Sequence, residues 1–212
     1  VRYAGCREPG PNRPAVWSQR ADQLLATAAW QSLAACLPHG EANPAPRSDP
    51  KPEDLATLIY TSGTTGPAKG VVQPFRWINQ YTFNSRAFLT AKDTIYCDLP
   101  LYHVGGAMFL VAKACWTGCA VSLWDKFSPT RFWDRVRTHR ASNAVLLDVM
   151  VPWLMSAEPR ADDRDNTMMR VHMQPLPARH HEVAQRFGIP FSTAGFGQTE
   201  SGNGFVALID QF

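Results

Sequence analysis

Between Thr61 and Gly70 the chain reads TSGTTGPAKG, a stretch whose residue types are suited to holding an anion. Ser62, Thr64 and Thr65 bring hydroxyls, Gly63, Gly66 and Gly70 bring a backbone that can turn sharply and approach a ligand, and Lys69 brings a cation. Successive backbone N–H groups in such a loop form an anion-holding concavity, and a polyphosphate is the natural guest. The ordinary P-loop does not fit. It requires four residues between its glycines and then Gly-Lys-Ser/Thr. Here Gly63 and Gly66 are too close, no glycine precedes Lys69, and Gly70 follows it. The competing reading is a polar surface turn with a solvated lysine.

Two other stretches carry chemistry. Pro100 to Gly106 reads PLYHVGG and places His103 just ahead of paired glycines, Gly105 and Gly106. Gly195 to Glu200 reads GFGQTE, an aromatic residue between glycines followed by a hydroxyl and a carboxylate. Together with TSGTTGPAKG, these stretches resemble the motifs of the AMP-forming adenylating enzymes, the family of acyl-CoA synthetases, luciferases and peptide-synthetase adenylation domains. The resemblance implies that Thr61, Ser62, Gly63, Thr64, Thr65, Gly66 and Lys69 hold the phosphates of ATP. It implies that Gly195, Phe196 and Gly197 meet adenine, with Phe196 standing where tyrosine is more common. Thr199 is then expected at the α-phosphate and Glu200 at Mg²⁺, a hard cation that prefers carboxylate oxygen. His103, Gly105 and Gly106 are expected beside the acyl group and the entry of CoA. Lys69, His103, Thr199 and Glu200 form the expected catalytic set. In one place the chain departs from the pattern. His172-Met173-Gln174-Pro175 stands where the family carries a small Gly-Gly-Ala-like segment. This feature and the run FSPTRFWDRVRTHRAS look more like the carnitine/crotonobetaine-CoA ligase branch than like luciferases.

The elements that must position these residues follow from periodicity and punctuation. Leu55–Tyr60 is apolar and β-prone, and predicts a buried strand of the main sheet feeding the phosphate loop. Strands are further expected over Thr94–Asp98, Cys119–Trp124, Asn143–Leu147, Met168–Met173, Phe191–Ala194 and Gly204–Ile209. Between them come helices over Pro74–Phe88, Gly106–Trp116, Arg131–Arg140, Val149–Ala157 and Pro177–Phe187. Ser128 is expected to cap the third of these, and Gly118 and Gly188 to end the second and the fifth. Such alternation predicts a layered α/β domain with a largely parallel sheet. Its ligands belong beyond the carboxyl ends of the strands, where all three motifs fall. Ahead of it, residues 1–52 read as an irregular leading segment and linker. Ala21–Leu37 is a candidate helix there, and Pro38–Pro52 is proline-rich.

The totals exclude several classes. Of 212 residues, 45% are hydrophobic and 18% charged, and the net charge of +3 is too small to argue for nucleic acid or a membrane surface. No run is long and apolar enough for a transmembrane helix. Five scattered cysteines suggest reduced thiols in a cytoplasmic protein, and Cys115 and Cys119 lack the further ligands of a metal site.

The resemblance spans Glu53 to Ile209. It implies the central part of an AMP-binding domain, residues 53–212, from an ATP-dependent acid–thiol ligase that makes an acyl-adenylate and passes the acyl group to CoA. The family's ribose-binding aspartate, hinge and small C-terminal domain have no counterpart before Phe212. That domain is the expected missing partner, and the piece alone is expected to turn over little. The alternatives are an adenylation domain loading a carrier-protein thiol, or a nucleotide- or acyl-binding module without turnover.

Overall fold

The computed structural model describes residues 16–18, 30–32, 49–61 and 66–209. The chain divides into two units, Val1–Asp49 and Pro50–Phe212. In the first, β1 (Val16–Ser18) pairs in parallel with β2 (Trp30–Ser32). Trp30–Ser32 therefore is not helical, although it lies within the Ala-rich stretch that predicts a helix over Ala21–Leu37. A ladder partner overrides local propensity there. The rest of that stretch lies outside the described residues.

The second unit is built on six strands in the order β10-β9-β8-β7-β5-β6. They are β5 (Thr94–Cys97), β6 (Ala120–Leu123), β7 (Asn143–Leu147), β8 (Arg170–Gln174), β9 (Phe191–Gln198) and β10 (Gly202–Ile209). The ladders from β6 through β5, β7 and β8 to β9 are parallel, and β10 returns antiparallel on β9. The α/β class and largely parallel sheet are as the alternation requires. One face carries α1 (Phe75–Arg86) and a π-helical segment, Gly105–Ala112, that runs on as α2 (Lys113–Thr117). The opposite face carries α3 (Phe132–His139) and α5 (His180–Phe187), where Phe132 packs on Tyr96 and Trp133 stacks on Phe187. The short helix α4 (Met150–Met155) follows β7. Val171 and Met173 of β8 are fully buried, and strand alternation directs Arg170, His172 and Gln174 to the other face. Gly118 and Gly188 end α2 and α5 in the left-handed conformation, with φ of 76° and 65°.

Three expectations need correction. Leu55–Thr61 is a strand, β3, but not of the main sheet: it pairs antiparallel with β4 (Lys69–Pro74) as a separate two-stranded ribbon. Residues 62–68 are too few for the crossover of roughly a dozen residues that parallel pairing needs. Nor is β3 a buried strand, since Leu55, Leu58 and Tyr60 are exposed and Ile59 is covered. Second, Gly195-Phe196-Gly197-Gln198 belongs to β9 rather than to a loop, because β10 zips it into a hairpin that turns only at Thr199–Ser201. Third, Ser128 does not cap α3 with its side chain. Its carbonyl accepts the Arg131 and Phe132 N–H groups while its hydroxyl turns to Thr130.

Candidate functional site

A cleft of about 580 Å³ opens at the carboxyl ends of the strands. The ribbon contributes Thr61, the segment after β5 contributes His103 and Gly105, and the β9–β10 hairpin contributes Gly197, Thr199 and Glu200. Residues from all three motifs thus share one wall system. Lys69 pairs across from Thr61 in the ribbon ladder, exposed, next to the point where the chain enters residues 62–65. It is not among the residues lining the cleft, and neither are Gly66, Gly106, Gly195 and Phe196. Ser62, Gly63, Thr64 and Thr65 lie outside the described residues.

Each motif is held by local chemistry. Gln73 of β4 is fully buried and donates from Nε2 to the Thr199 carbonyl at 3.2 Å, tying the ribbon to the Thr199–Glu200 turn. His103 Nδ1 accepts the Gly105 backbone N–H at 3.0 Å. A backbone N–H can only donate, so in the neutral ring the proton sits on Nε2, which is left as the outward donor. Gly106 must be glycine because an added Cβ would sit 2.4 Å from the Pro100 carbonyl oxygen. That close approach lets the π-helical segment start directly behind His103. At Gly195 a Cβ would come within 2.4 Å of the Phe205 carbonyl oxygen, so strand pairing alone requires this glycine. Phe196, half exposed, points from β9 to the side opposite Gly195 and Gly197.

The floor is apolar and aromatic. Trp77 stacks on Tyr81 at 4.6 Å, Tyr81 meets Phe109 edge-on at 6.1 Å, and Phe109 lies 4.8 Å from the His172 ring. Burial pushes the Tyr81 hydroxyl up to about 12, so it stays neutral. Burial also drives His172 down to about 4. Its ring is neutral and doubly bonded, Nδ1 to Thr193 Oγ1 at 3.1 Å and Nε2 to Gln174 Oε1 at 3.0 Å. At the end of β5, Asp98 is raised to about 6 by burial, which outweighs its bond from Tyr96, and its Oδ2 has no hydrogen-bond partner. The sequence reading missed Tyr81, Phe109 and Gln198 as cleft residues. It saw His172 and Gln174 only as bulky replacements, although their alternation in RVHMQ is the signal that puts both on one face.

Glu200 is an exposed carboxylate on the cleft wall. Among the described residues no three His, Cys, Asp or Glu side chains gather as a metal cage. That donor set fits a cation such as Mg²⁺, which binds through one or two carboxylates and takes its other ligands from phosphate and water. Cys97, Cys115 and Cys119 are free thiols.

The family model described as AMP-binding enzyme matches residues 10–211. The chain belongs to this family. The match reaches well ahead of the motifs, into the first unit. Among related AMP-binding enzymes, the chain is 30% identical over 172 residues to the medium/long-chain-fatty-acid–CoA ligase FadD6 of Mycobacterium tuberculosis, covering 79% of this chain and 29% of that protein. It is 27% identical over 164 residues to the crotonobetaine/carnitine–CoA ligase of Salmonella arizonae, covering 73% and 31%. The N-terminal domain of FACL13 from M. tuberculosis superposes with a TM-score of 0.73 at 20% identity, over 87% of this chain and 50% of that one, a likeness of fold. The chain spans less than a third of the length of these two ligases. Among the described residues no helix is long and apolar enough to cross a membrane.

Proposed function

We propose that this chain supplies the nucleotide- and acid-binding part of an AMP-forming acid–thiol ligase. In this reading a carboxylate attacks the α-phosphate of ATP to give acyl-adenylate and pyrophosphate, and the CoA thiol then displaces AMP. The observation that carries it is the shared cleft, which brings Thr61, His103 and the Thr199–Glu200 turn to one space beyond the strand ends.

The division of labour follows from the walls. Thr61 and Lys69 flank the glycine- and hydroxyl-rich residues 62–66, which take the β- and γ-phosphates through N–H groups, hydroxyls and one ammonium. Thr199, held in place by Gln73, offers its hydroxyl where charge develops on the α-phosphate. Glu200 holds Mg²⁺, which when bound offsets phosphate charge. Gly197 gives the nucleotide close access to β9, and the exposed ring of Phe196 offers adenine a stacking surface on the strand's outer side. His103 presents Nε2–H between the acid and the incoming thiol, with Gly105 and Gly106 behind it. The aromatic floor excludes water from the acid, and positioning and charge stabilisation do most of the work. The relatives' names, CoA ligases, favour CoA over a carrier-protein thiol, and a cytoplasmic setting suits free ATP and CoA.

The test is calorimetric titration of the 212-residue chain with ATP in the presence of Mg²⁺, with pyrophosphate exchange on a carboxylic-acid panel beside it. Saturable ATP binding that Thr199→Val weakens is expected. Absence of any nucleotide binding would overturn the assignment.

A further inference from the structure

The acid side of the cleft continues inward along the sheet. On β7 the residues of one face run Leu147, Val145, Asn143, and on β8 they run Gln174, His172, Arg170. The outer member of each row lines the cleft, the middle member lines both the cleft and a second, inner cavity of about 20 Å³, and the last lines the inner cavity alone. That inner space has room for one water. Phe109 of the π-helical segment, like Val145 and His172, lines both spaces, and Lys113, one turn further on, stands behind it with Nζ 4.2 Å from the Phe109 ring centre.

The inner chamber is chemically odd. Lys113 and Arg170 both line it, and no carboxylate does. Arg170 bonds the Phe88 carbonyl and Asn143 Oδ1, but its buried Nε has no hydrogen-bond partner. Asp93 acts on Arg170 by charge alone, while its own oxygens are bonded to Ser142, Asn143 and Thr90. The Lys113 ammonium is lowered to about 7, chiefly by burial; Cys119 opposes this and Arg170 adds a smaller push in the same direction as burial. His172, the other titratable wall, is neutral. A tunnel for a purely hydrocarbon tail would gain nothing from a buried amine and a half-buried guanidinium at its end.

We propose that the acid activated here carries a second anionic group at its far end, received by Lys113 and Arg170 when the Phe109 ring swings aside. This rests on the cleft being the acid pocket of the proposed ligase. From Leu147 to Asn143 the row extends about 13 Å at 3.3 Å per residue, so decanedioate is a suitable probe.

The experiment is isothermal titration of the full chain at pH 8 with decanedioate and with decanoate, in two buffers of different ionisation enthalpy. Decanedioate is expected to bind about tenfold more tightly, the scale of one charged hydrogen bond, and to take up close to one proton as Lys113 charges. K113M should erase both the preference and the proton uptake while leaving decanoate binding in place. F109A should keep the uptake and tighten decanedioate. Equal or weaker binding of decanedioate by the wild-type chain, its binding without proton uptake, or no binding of either acid would overturn the inference. ATP titration of the same samples separates the two failures: ATP binding without a diacid preference sinks this inference alone, and loss of ATP binding sinks the ligase reading too.

Discussion

The β3–β4 ribbon and the β7–β8 pair both wall the cleft, and they are built in opposite ways. The ribbon is two strands wide and exposes Leu55, Leu58, Tyr60 and Val72, with Ile59 and Gln73 as its buried contacts. The β7–β8 pair lies mid-sheet with helices on both faces, and Ala144, Val145, Leu146, Val171 and Met173 are all buried. The phosphate side is therefore an appendage fastened at few points, whereas the acid side is part of the core. Substitutions should cost stability on the acid side and ligand affinity on the phosphate side.

The sharpest way to break that contrast uses two glycines. Gly106→Ala drives a Cβ into the backbone of Leu99 and Pro100, and should cost about 3 kcal/mol by overpacking. Gly66→Ala meets open space and should change stability by less than about 0.5 kcal/mol. Urea midpoints for the two variants measure the difference. Equal midpoints would mean that the π-helical segment relaxes as freely as the ribbon.

Next in size are two buried titrations of opposite sign. Asp98 has a folded pKa near 6, above its ordinary value, so the native state holds the extra proton and stability falls as pH rises from about 4 to 6. His172 has a folded pKa near 4, below its ordinary value, so the unfolded state holds the extra proton and stability rises from about 4 to 6.5. In the wild-type chain the two slopes offset each other. Asp98→Asn should leave a stability that climbs with pH across that window, and His172→Gln one that declines. Thermal melts from pH 4 to 7 read both, and parallel profiles would remove one of the two burial arguments.

A smaller effect is expected at the fastening. Gln73→Leu removes the bond to the Thr199 carbonyl, at about 1 kcal/mol of stability. If that bond aligns the turn, ATP affinity should fall as well, and an unchanged affinity would show that the turn holds itself. The smallest change in stability belongs to Lys69→Ala. Exposed on the ribbon, it should leave the melting temperature within a degree or so of wild type, while ATP binding weakens by roughly tenfold, as loss of a charged donor to phosphate predicts. A variant that binds ATP normally would make Lys69 a surface residue.

The sequence was legible where backbone chemistry is local. Asn143–Leu147 reads as a strand and is one, and the glycines after Thr117 and Phe187 stop their helices where a left-handed residue is needed. The order of strands and helices was enough for the fold class. What escaped depends on partners distant in the chain. Lys69-Gly70 reads as the end of a loop and Pro74 as the first turn of a helix until Leu55–Thr61 lies beside them and makes Lys69–Pro74 a strand. GFGQ reads as a loop until β10 pairs with it, and WQS reads as helix until Val16–Ser18 does. The three motifs were visible as short strings, but the row of His172 and Gln174 that completes the cleft was not. Its members are separated by a core methionine, and they acquire meaning only when β8 is seen edge to edge with β7.

The π-helical segment has a consequence for how length changes in this chain are tolerated. A π turn accommodates one more residue than an α turn through its i→i+5 bonds. Deleting a single residue between Ala107 and Ala112 would let the segment relax to α-helix with its backbone bonding intact. Every side chain beyond the deletion would then keep its bearing about the axis, because the α turn closes the same rotation with one residue fewer. Lys113 would stay at the inner chamber, and only the wall ahead of it would lose a residue. A one-residue deletion here reshapes the wall around Phe109 and leaves the helix that follows in register, so relatives one residue shorter at this point are expected to differ in what the cleft wall presents and to share the same fold.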